Sequence, residues 1–375
     1  MRTGSYDVAI IGGGIVGAAC AAEFARERMR VVVIESSVIG GDATAAGMGH
    51  IVVMDDSEAQ FALTRYSQLL WREIREELPT DVEFESCGTI WVAADDDEMR
   101  EVRRKESYYG TRGVPTQVLD PAALHQAEPN LREGLAGGLL VPEDAVLYPP
   151  CAAGFLMRRA QSGGAKVHVG RAVAIEADGV RLEGGAKIVA GITVNAGGAS
   201  SPTLSPGLDV KKRKGHLVIT DRYPGYVRHQ LVELGYLKSA HSMTSESVAF
   251  NVQPRSTGQL LIGSSRQYGA EHREVDPGIV KQMLARALEY MPGLGQLAAI
   301  RTWTGFRAAT PDKLPVIGPS SSQPGLFLTT GHEGLGITTS LGTAKLLVDQ
   351  VLNRRSAIPF EPYLPTRVEE SAHAH

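Results

Sequence analysis

Residues 7–35 read DVAIIGGGIVGAACAAEFARERMRVVVIE. Two short aliphatic runs, 8–11 and 31–34, flank a glycine cluster and an alanine-rich segment. Runs of this length bounded by glycine predict buried strands, and Ile15–Glu27 predicts a helix between them. Parallel strands need such a crossover, so the stretch is a βαβ unit. Gly12, Gly14 and Gly17 stand at the strand-to-helix turn in the spacing G-x-G-x-x-G. The first permits the tight turn, the second lets backbone approach a pyrophosphate, and the third lets helix pack on strand. Ile15 and Val16 then belong to a first helical turn whose free N–H groups face phosphate. Glu35, followed by Ser36, ends the second strand at roughly the 20-residue spacing at which an acidic side chain holds a ribose. Its charge repels a 2′-phosphate, which disfavours NADP. The bland alternative is a glycine-rich turn without a ligand, but strand, helix, second strand and terminal acid all occur together. An adenine dinucleotide is expected.

The totals limit the classes. The chain has 375 residues, enough for about two domains at ~150 residues each. Hydrophobic residues make up 43% and charged residues 21%, which fits a packed globular protein. A net charge of −4 argues against nucleic-acid binding. The one basic run, Lys211-Lys212-Arg213-Lys214, reads as a solvated turn before a strand, and less readily as a docking patch. Cys20, Cys87 and Cys151 lie at no metal-ligand or disulfide-framework spacing, so a reducing compartment and no metal site are expected. An iron–sulfur cluster needs about four thiolates, more than this chain has. No C-x-x-C pair occurs, which disfavours a disulfide reductase. No uninterrupted apolar run reaches the length of a transmembrane helix, and the segment 8–22 is broken by glycines as no signal peptide is.

Further along, residues 58–77 predict a long amphipathic helix with Leu69, Leu70 and Ile74 on one face. Alternating segments between 215 and 265 predict an antiparallel sheet. The chain crosses between its two domains several times. Near the C-terminus the strand LFLTT (326–330) runs into Gly331-His332-Glu333-Gly334-Leu335-Gly336 and then a helix to about 354. A second helix N-terminus of this kind can stabilise negative charge on a reduced isoalloxazine ring. FAD is long and must be gripped at both ends, whereas NAD has no use for the second anion site.

Five stretches in order carry a family resemblance: the opening fingerprint, GGDATAAGMGH (40–50), VNAGGASS (194–201), GFRAATPDKLPVIGP (305–319) and TTGHEGLGIT (329–338). The chain resembles the FAD-dependent D-amino-acid-oxidase-like superfamily over nearly its whole length. The resemblance implies an α/β fold. A glutathione-reductase-type FAD-binding Rossmann domain (1–82, 146–211 and 306–375) would be interleaved with an α+β substrate domain on a mostly antiparallel sheet (83–145 and 212–305). Thr44, Ala45, Ala46, Gly47 and Met48 would follow the pyrophosphate and ribityl chain, although Thr44 also reads as an ordinary turn residue. Ala172 and Val173 would border the adenine through backbone contacts, and Asn195, Ala196 and Gly197 would close over the phosphates. Gly334, Leu335, Gly336, Ile337 and Thr338 would lie by the flavin pyrimidine edge.

The implied reaction moves a hydride from an amine-bearing carbon to flavin N5 and leaves an imine. Arg307 matches the family position that holds a substrate carboxylate, by the bidentate pairing open to guanidinium; a structural ion pair is the alternative. His50 would face the reactive side of the flavin, with a packed core histidine as the alternative reading. His332 has similar standing. Glu333 either neutralises a substrate amine or caps the helix. Tyr226, Tyr236, Arg255, Arg266 and Tyr268 are further pocket candidates. Two loops, GMGHIVVMDD and GHEGLGIT, resemble a subgroup of hetero-oligomeric amine dehydrogenases. It includes the beta subunit of D-hydroxyproline dehydrogenase, opine oxidase subunits and a hydrogen cyanide synthase subunit. Glycine oxidase carries an arginine, in GHFRNGI, where this chain has Gly334, and no basic residue occurs from 333 to 344. That favours an electron acceptor other than dioxygen, reached through partner subunits that carry an iron–sulfur cluster or a second flavin. A cytoplasmic location follows, with peripheral placement at the inner membrane through such partners. Two alternatives stand: a self-sufficient glycine, sarcosine or D-amino-acid oxidase, and a subunit that holds FAD without a substrate pocket.

Overall fold

The computed structural model describes residues 5–235 and 246–369. The first third contributes strands β1 (Tyr6–Ile11), β2 (Val31–Glu35), β3 (His50–Ile51), β4 (Thr89–Ala93), β5 (Gln117–Leu119), β6 (Gly137–Val141) and β7 (Ala145–Val146). The middle contributes β8 (Lys166–Val169), β9 (Ala172–Glu176), β10 (Gly179–Leu182), β11 (Lys187–Asn195) and β12 (Lys211–Thr220). After these come β13 (Gln230–Glu233), β14 (Glu246–Pro254), β15 (Leu260–Tyr268), β16 (Ala299–Ala309), β17 (Val316–Pro319) and β18 (Leu326–Thr330).

They form two large sheets. The first runs β17-β18-β11-β1-β2-β8, with the β9–β10 hairpin attached to β11. Its centre is parallel: β1 pairs with β2 on one side and β11 on the other. Val8, Ile10, Val31 and Val33 are buried beneath helix α1 (Ile15–Arg26), helix Pro149–Ser162 and the C-terminal helix Gly336–Val351. Ala9, Ile11, Val32 and Ile34 are buried on the opposite face under Val180, Leu182 and Ile188. Burial on both faces is what turns the strands into continuous aliphatic runs. The alanines of α1, including Cα neighbours Ala18, Ala19 and Ala21, are fully enclosed and allow the close helix packing. Cys20 sits among them, its thiol pushed up to about 12 by burial.

The second sheet runs β16-β12-β15-β14-β13-β4-β6-β5 and is antiparallel except where β13 meets β4. Helix Pro277–Tyr290 packs Ile279, Met283, Ala287 and Tyr290 against one of its faces. The other face looks toward the first sheet and walls the cavity described below. Among the described residues no helix is long and apolar enough to cross a membrane.

Two expectations are corrected. After helix α2 (Asp42–Ala45), helix α3 covers Glu58–Glu73 and ends in a short 3-10 turn, Arg75–Glu77. It buries Phe61, Leu63, Gln68 and Trp71; Leu69 points to solvent. The reason is a polar anchor on the buried face, where the Trp71 indole donates to the carbonyl of Thr338 at 3.2 Å. The basic run is no solvated turn. It opens β12, which is paired on both sides, by β15 and by β16. Arg213 and Lys214 are therefore buried, and the Lys214 ammonium donates to the carbonyl of Glu274 at 2.5 Å.

Asp144, in the β6–β7 turn, ties three segments together. Its Oδ1 accepts from the Val53 N–H at 3.2 Å and from the Gln68 side chain at 2.8 Å. Burial pushes its carboxyl up to about 7, from an ordinary 3.8. The folded chain therefore keeps a proton that the unfolded chain releases, and this contribution to stability is present in acid and lost as pH rises through 7. The melting temperature should fall between about pH 5 and about pH 8, and Asp144→Asn should flatten that fall, as thermal denaturation across the range will read.

Candidate active site

A cavity of about 830 Å³ lies between the two sheets, within the usual range for cofactor and ligand sites. At one end it is lined by Gly12, Gly14, Ile15, Val16, Gly17, Glu35 and Ser36. Gly12 has φ +102°, and a Cβ there would meet the Ala196 carbonyl oxygen at 2.6 Å. A Cβ on Gly17 would meet the Gly12 carbonyl oxygen at 2.0 Å. Helix α1 starts at Gly14 with no side-chain cap, though the Ile15 N–H donates to Thr44 Oγ1 at 3.0 Å. Glu35 accepts from Gly13 N at 2.7 Å and Ser37 N at 2.8 Å. A carboxylate accepts about four hydrogen bonds, so capacity remains for ribose hydroxyls.

The C-terminal helix opens into the same cavity. It starts at Gly336 after Leu335, again without a side-chain cap, and Gly334, Leu335, Gly336 and Ile337 line the wall. Two helix N-termini thus present unsatisfied N–H groups to one cavity. Both attract negative charge. Thr44, Ala46, Gly47, Met48, Ala172, Ala196 and Gly197 also line it.

Four predicted residues stand outside it. Ala45 is exposed on the outer side of α2, and Val173, at 46% exposure, points away from Ala172 by strand alternation. Asn195 lies behind the wall, where its side chain accepts from Gly197 N at 3.2 Å and donates to the Ser201 carbonyl at 3.0 Å. Thr338 is likewise buried, its hydroxyl donating to the His50 carbonyl at 2.7 Å.

Arg307, His50, His332 and Glu333 all border the cavity. Arg307 Nη1 donates to the Ser265 carbonyl at 3.0 Å. The guanidinium crosses β12 over Gly215, where a Cβ would meet Nη1 at 2.4 Å, so glycine is required at 215 for Arg307 to lie there. His50 is neutral at pH 7: burial pulls it down to about 4, and its Nε2 has no partner. His332 is neutral for the same reason, at about 3, and its Nε2 is within 3.0 Å of Thr343 Oγ1 on the C-terminal helix. Glu333 has φ +53° and forms a buried ion pair with Arg213. The Arg213 guanidinium lies 4.7 Å from the Tyr268 ring centre.

Arg213 changes the charge picture. The gap in basic residues from 333 to 344 is a gap in sequence only, because β12 brings a guanidinium to Glu333 and Arg307 lies next to Gly334. Of the other pocket candidates, Arg266 lines the cavity. Tyr226 and Tyr268 do not, and Arg255 is paired with Glu83. Tyr236 lies outside the described residues.

Sequence reading missed Trp91, Gln230, Val232 and Asn251, which line the far end. A signal was present: Gln230 and Asn251 interrupt apolar strands (QLVEL, AFNVQP) at positions that alternation assigns to an inner face.

Comparison with known proteins settles the cofactor. Residues 7–350 match the family model for FAD-dependent oxidoreductases of the DAO type. This chain belongs to that family. It is 30% identical to glycine oxidase from Geobacillus kaustophilus, over 97% of this chain and 98% of the relative. The crystal structure of a glycine oxidase from that organism superposes with a TM-score of 0.88 at 29% identity, covering 97% of this chain and 99% of that one. Hydrogen cyanide synthase subunit HcnC from Pseudomonas aeruginosa is 26% identical over 97% of both chains. The protein is an FAD-dependent oxidoreductase with the family's α/β fold. The residues present fit FAD: glycines that admit backbone-to-phosphate approach, spare capacity on Glu35, and two uncapped helix N-termini on one cavity.

Two predictions follow from this geometry. Gly12→Ala should weaken FAD retention by about tenfold or more, read as flavin absorbance per purified chain. Arg213→Met leaves a buried carboxylate uncompensated and should cost about 3–5 kcal/mol. Glu333→Gln added to it should recover part of the loss in chemical denaturation.

Proposed function

We propose that this enzyme oxidises the carbon–nitrogen bond of a small amino acid, that D-hydroxyproline is its substrate, and that its electrons leave to an acceptor other than dioxygen. Arg307 carries the reading: a fixed guanidinium on the cavity wall, beside Gly334 and the uncapped C-terminal helix. Arg307 pairs the substrate carboxylate and so orients the neighbouring carbon. FAD, when bound, supplies the hydride acceptor that converts the amine to an imine, which water then hydrolyses. Neutral His50 offers its unpartnered Nε2 to the substrate amine. With its pKa down at about 4 it orients the amine and is too weak a base to deprotonate it.

Gly334 favours a ring-bearing substrate. Where glycine oxidase carries an arginine, this chain has no side chain beside Arg307, whose Nε lies in van der Waals range, 3.7 Å, of an added Cβ. The acceptor rests on the loop resemblance of GMGHIVVMDD and GHEGLGIT to hetero-oligomeric dehydrogenases, and a partner subunit with an iron–sulfur cluster or second flavin would take the electrons. A second reading, a peroxide-producing glycine oxidase, is favoured by the 30% identity to that enzyme and by Arg213 at the Glu333 loop.

Anaerobic mixing with D-hydroxyproline, glycine and sarcosine separates these readings. D-Hydroxyproline should bleach the flavin fastest, and air should restore it slowly with little peroxide. Fast bleaching by glycine with stoichiometric peroxide would establish the oxidase instead. Arg307→Met should weaken amino-acid binding about 10- to 100-fold, read as the dissociation constant in the same titration.

A further inference from the structure

The register of the second sheet arranges one strip of its inner face. Val232 on β13 stands opposite Trp91 on β4 and opposite Asn251 on β14, so the three form a row across adjacent strands. Gln230 precedes Val232 by two positions and shares its face. All four line the cavity. The alternate residues Ile90, Val92, Leu231, Phe250 and Val252 belong to the core on the opposite face.

Three polar side chains in this strip are almost fully enclosed: Trp91 and Gln230 at 3% exposure and Asn251 at 7%. Each holds a polar atom without a partner: the indole Nε1, Gln230 Oε1 and Asn251 Oδ1. Each such orphan is a cost to the folded chain, and native proteins keep few of them. Three on one strip of a ligand cavity, with apolar Val52, Met54 and Val232 also lining it, describe a site built to receive a polar group.

We propose that Trp91, Gln230 and Asn251 are the side-chain specificity site: they bind a neutral hydroxyl or primary carboxamide carried by the amino-acid substrate. This rests on the reading of the cavity as an amino-acid oxidising site. With the two amides oriented as they are, the unpartnered atoms of the strip are one donor and two acceptors. A primary carboxamide has two N–H donors and one acceptor oxygen and so serves all three atoms, and a hydroxyl accepts from the indole and donates to one of the two amide oxygens. A carboxylate meets two acceptors it cannot satisfy, an ammonium cannot accept from the indole, and an alkyl group leaves all three unpartnered. Sites that hydrogen-bond a substrate group discriminate strongly against analogues that lack it, because the protein atoms are then stranded.

The test compares matched pairs with the FAD-loaded enzyme: hydroxyproline with proline, serine with alanine, and asparagine with 2-aminobutyrate, each as both enantiomers. Anaerobic flavin reduction should favour the polar member of at least one pair by about 100-fold or more in kcat/KM. Trp91→Phe and Asn251→Leu keep shape and remove the hydrogen-bonding atoms; each should lower the polar member far more than its partner and collapse the ratio. Equal rates within every pair, or variants that scale both members alike, overturn the proposal and leave amine oxidation standing. If no amine bleaches the flavin, the oxidation reading falls, and the strip is judged by ligand binding alone. 4-Hydroxycyclopentanecarboxylate should then perturb the flavin spectrum at lower concentration than cyclopentanecarboxylate, whereas equal binding means that the strip holds only water and ends the proposal.

Discussion

Two helices in this protein begin at the edge of one cavity, and neither N-cap residue, Gly14 or Leu335, supplies a capping side chain. The first turn of a helix leaves N–H groups without intrahelical partners, and a buried end of this kind needs another acceptor. FAD, when bound, would supply such an acceptor. The constraint reaches outward from those turns. β1 and β18 must end where α1 and the C-terminal helix begin, which requires β11 to lie between them in the sheet. α1 must pack closely on the strands it connects, which is why alanines fill its buried face and Gly17 its crossing with Gly12. The parallel core, the small-residue helix and the ligand site are consequences of one arrangement.

The second sheet is fastened to that arrangement by buried charge. Arg213 reaches from β12 to Glu333, in the turn before the C-terminal helix, and that turn is also bridged through backbone to Ala308 on β16. Replacement of such a pair by apolar groups is often neutral or stabilising, so stability alone does not explain it. Its effect is geometric: it fixes the loop that opens the helix against β12, whose neighbour β16 carries Arg307 beside Arg213. The Arg307 guanidinium and the N-terminus of the C-terminal helix therefore keep a set relation on the cavity wall.

The cofactor end was legible in the sequence because its determinants are local. Gly12, Gly14, Gly17 and Glu35 lie within one βαβ unit, and the turn from Gly331 to Gly336 sits between one strand and one helix. The substrate end was not, because it depends on which strands become neighbours. Nothing near Lys211–Lys214 says that this run pairs on both sides, and so Arg213 read as a surface charge when it is a buried one. Trp91, Gln230 and Asn251 are far apart in the chain and meet only through the register of three strands. The side chains of Val173 and Ala45 lie off the cavity for a smaller reason. The resemblance located the right segments, but alternation along β9 and the turn of α2 decide which side chains face the ligand.

This division bears on substrate choice. The cofactor end cannot vary much, since a Cβ at Gly12 or Gly17 collides with backbone that has nowhere to move. The inner face of the second sheet is under a weaker constraint. Residues there point into a cavity, so a change of side chain alters the ligand contact without disturbing the core behind the strand, which is held by the alternate positions. A chain 30% identical to a glycine oxidase and superposing on one with a TM-score of 0.88 can therefore share the whole frame and still present a different wall to its substrate. Glycine has no side chain to meet such a wall. A floor of three unpartnered polar atoms gains from a substrate that has something to offer them.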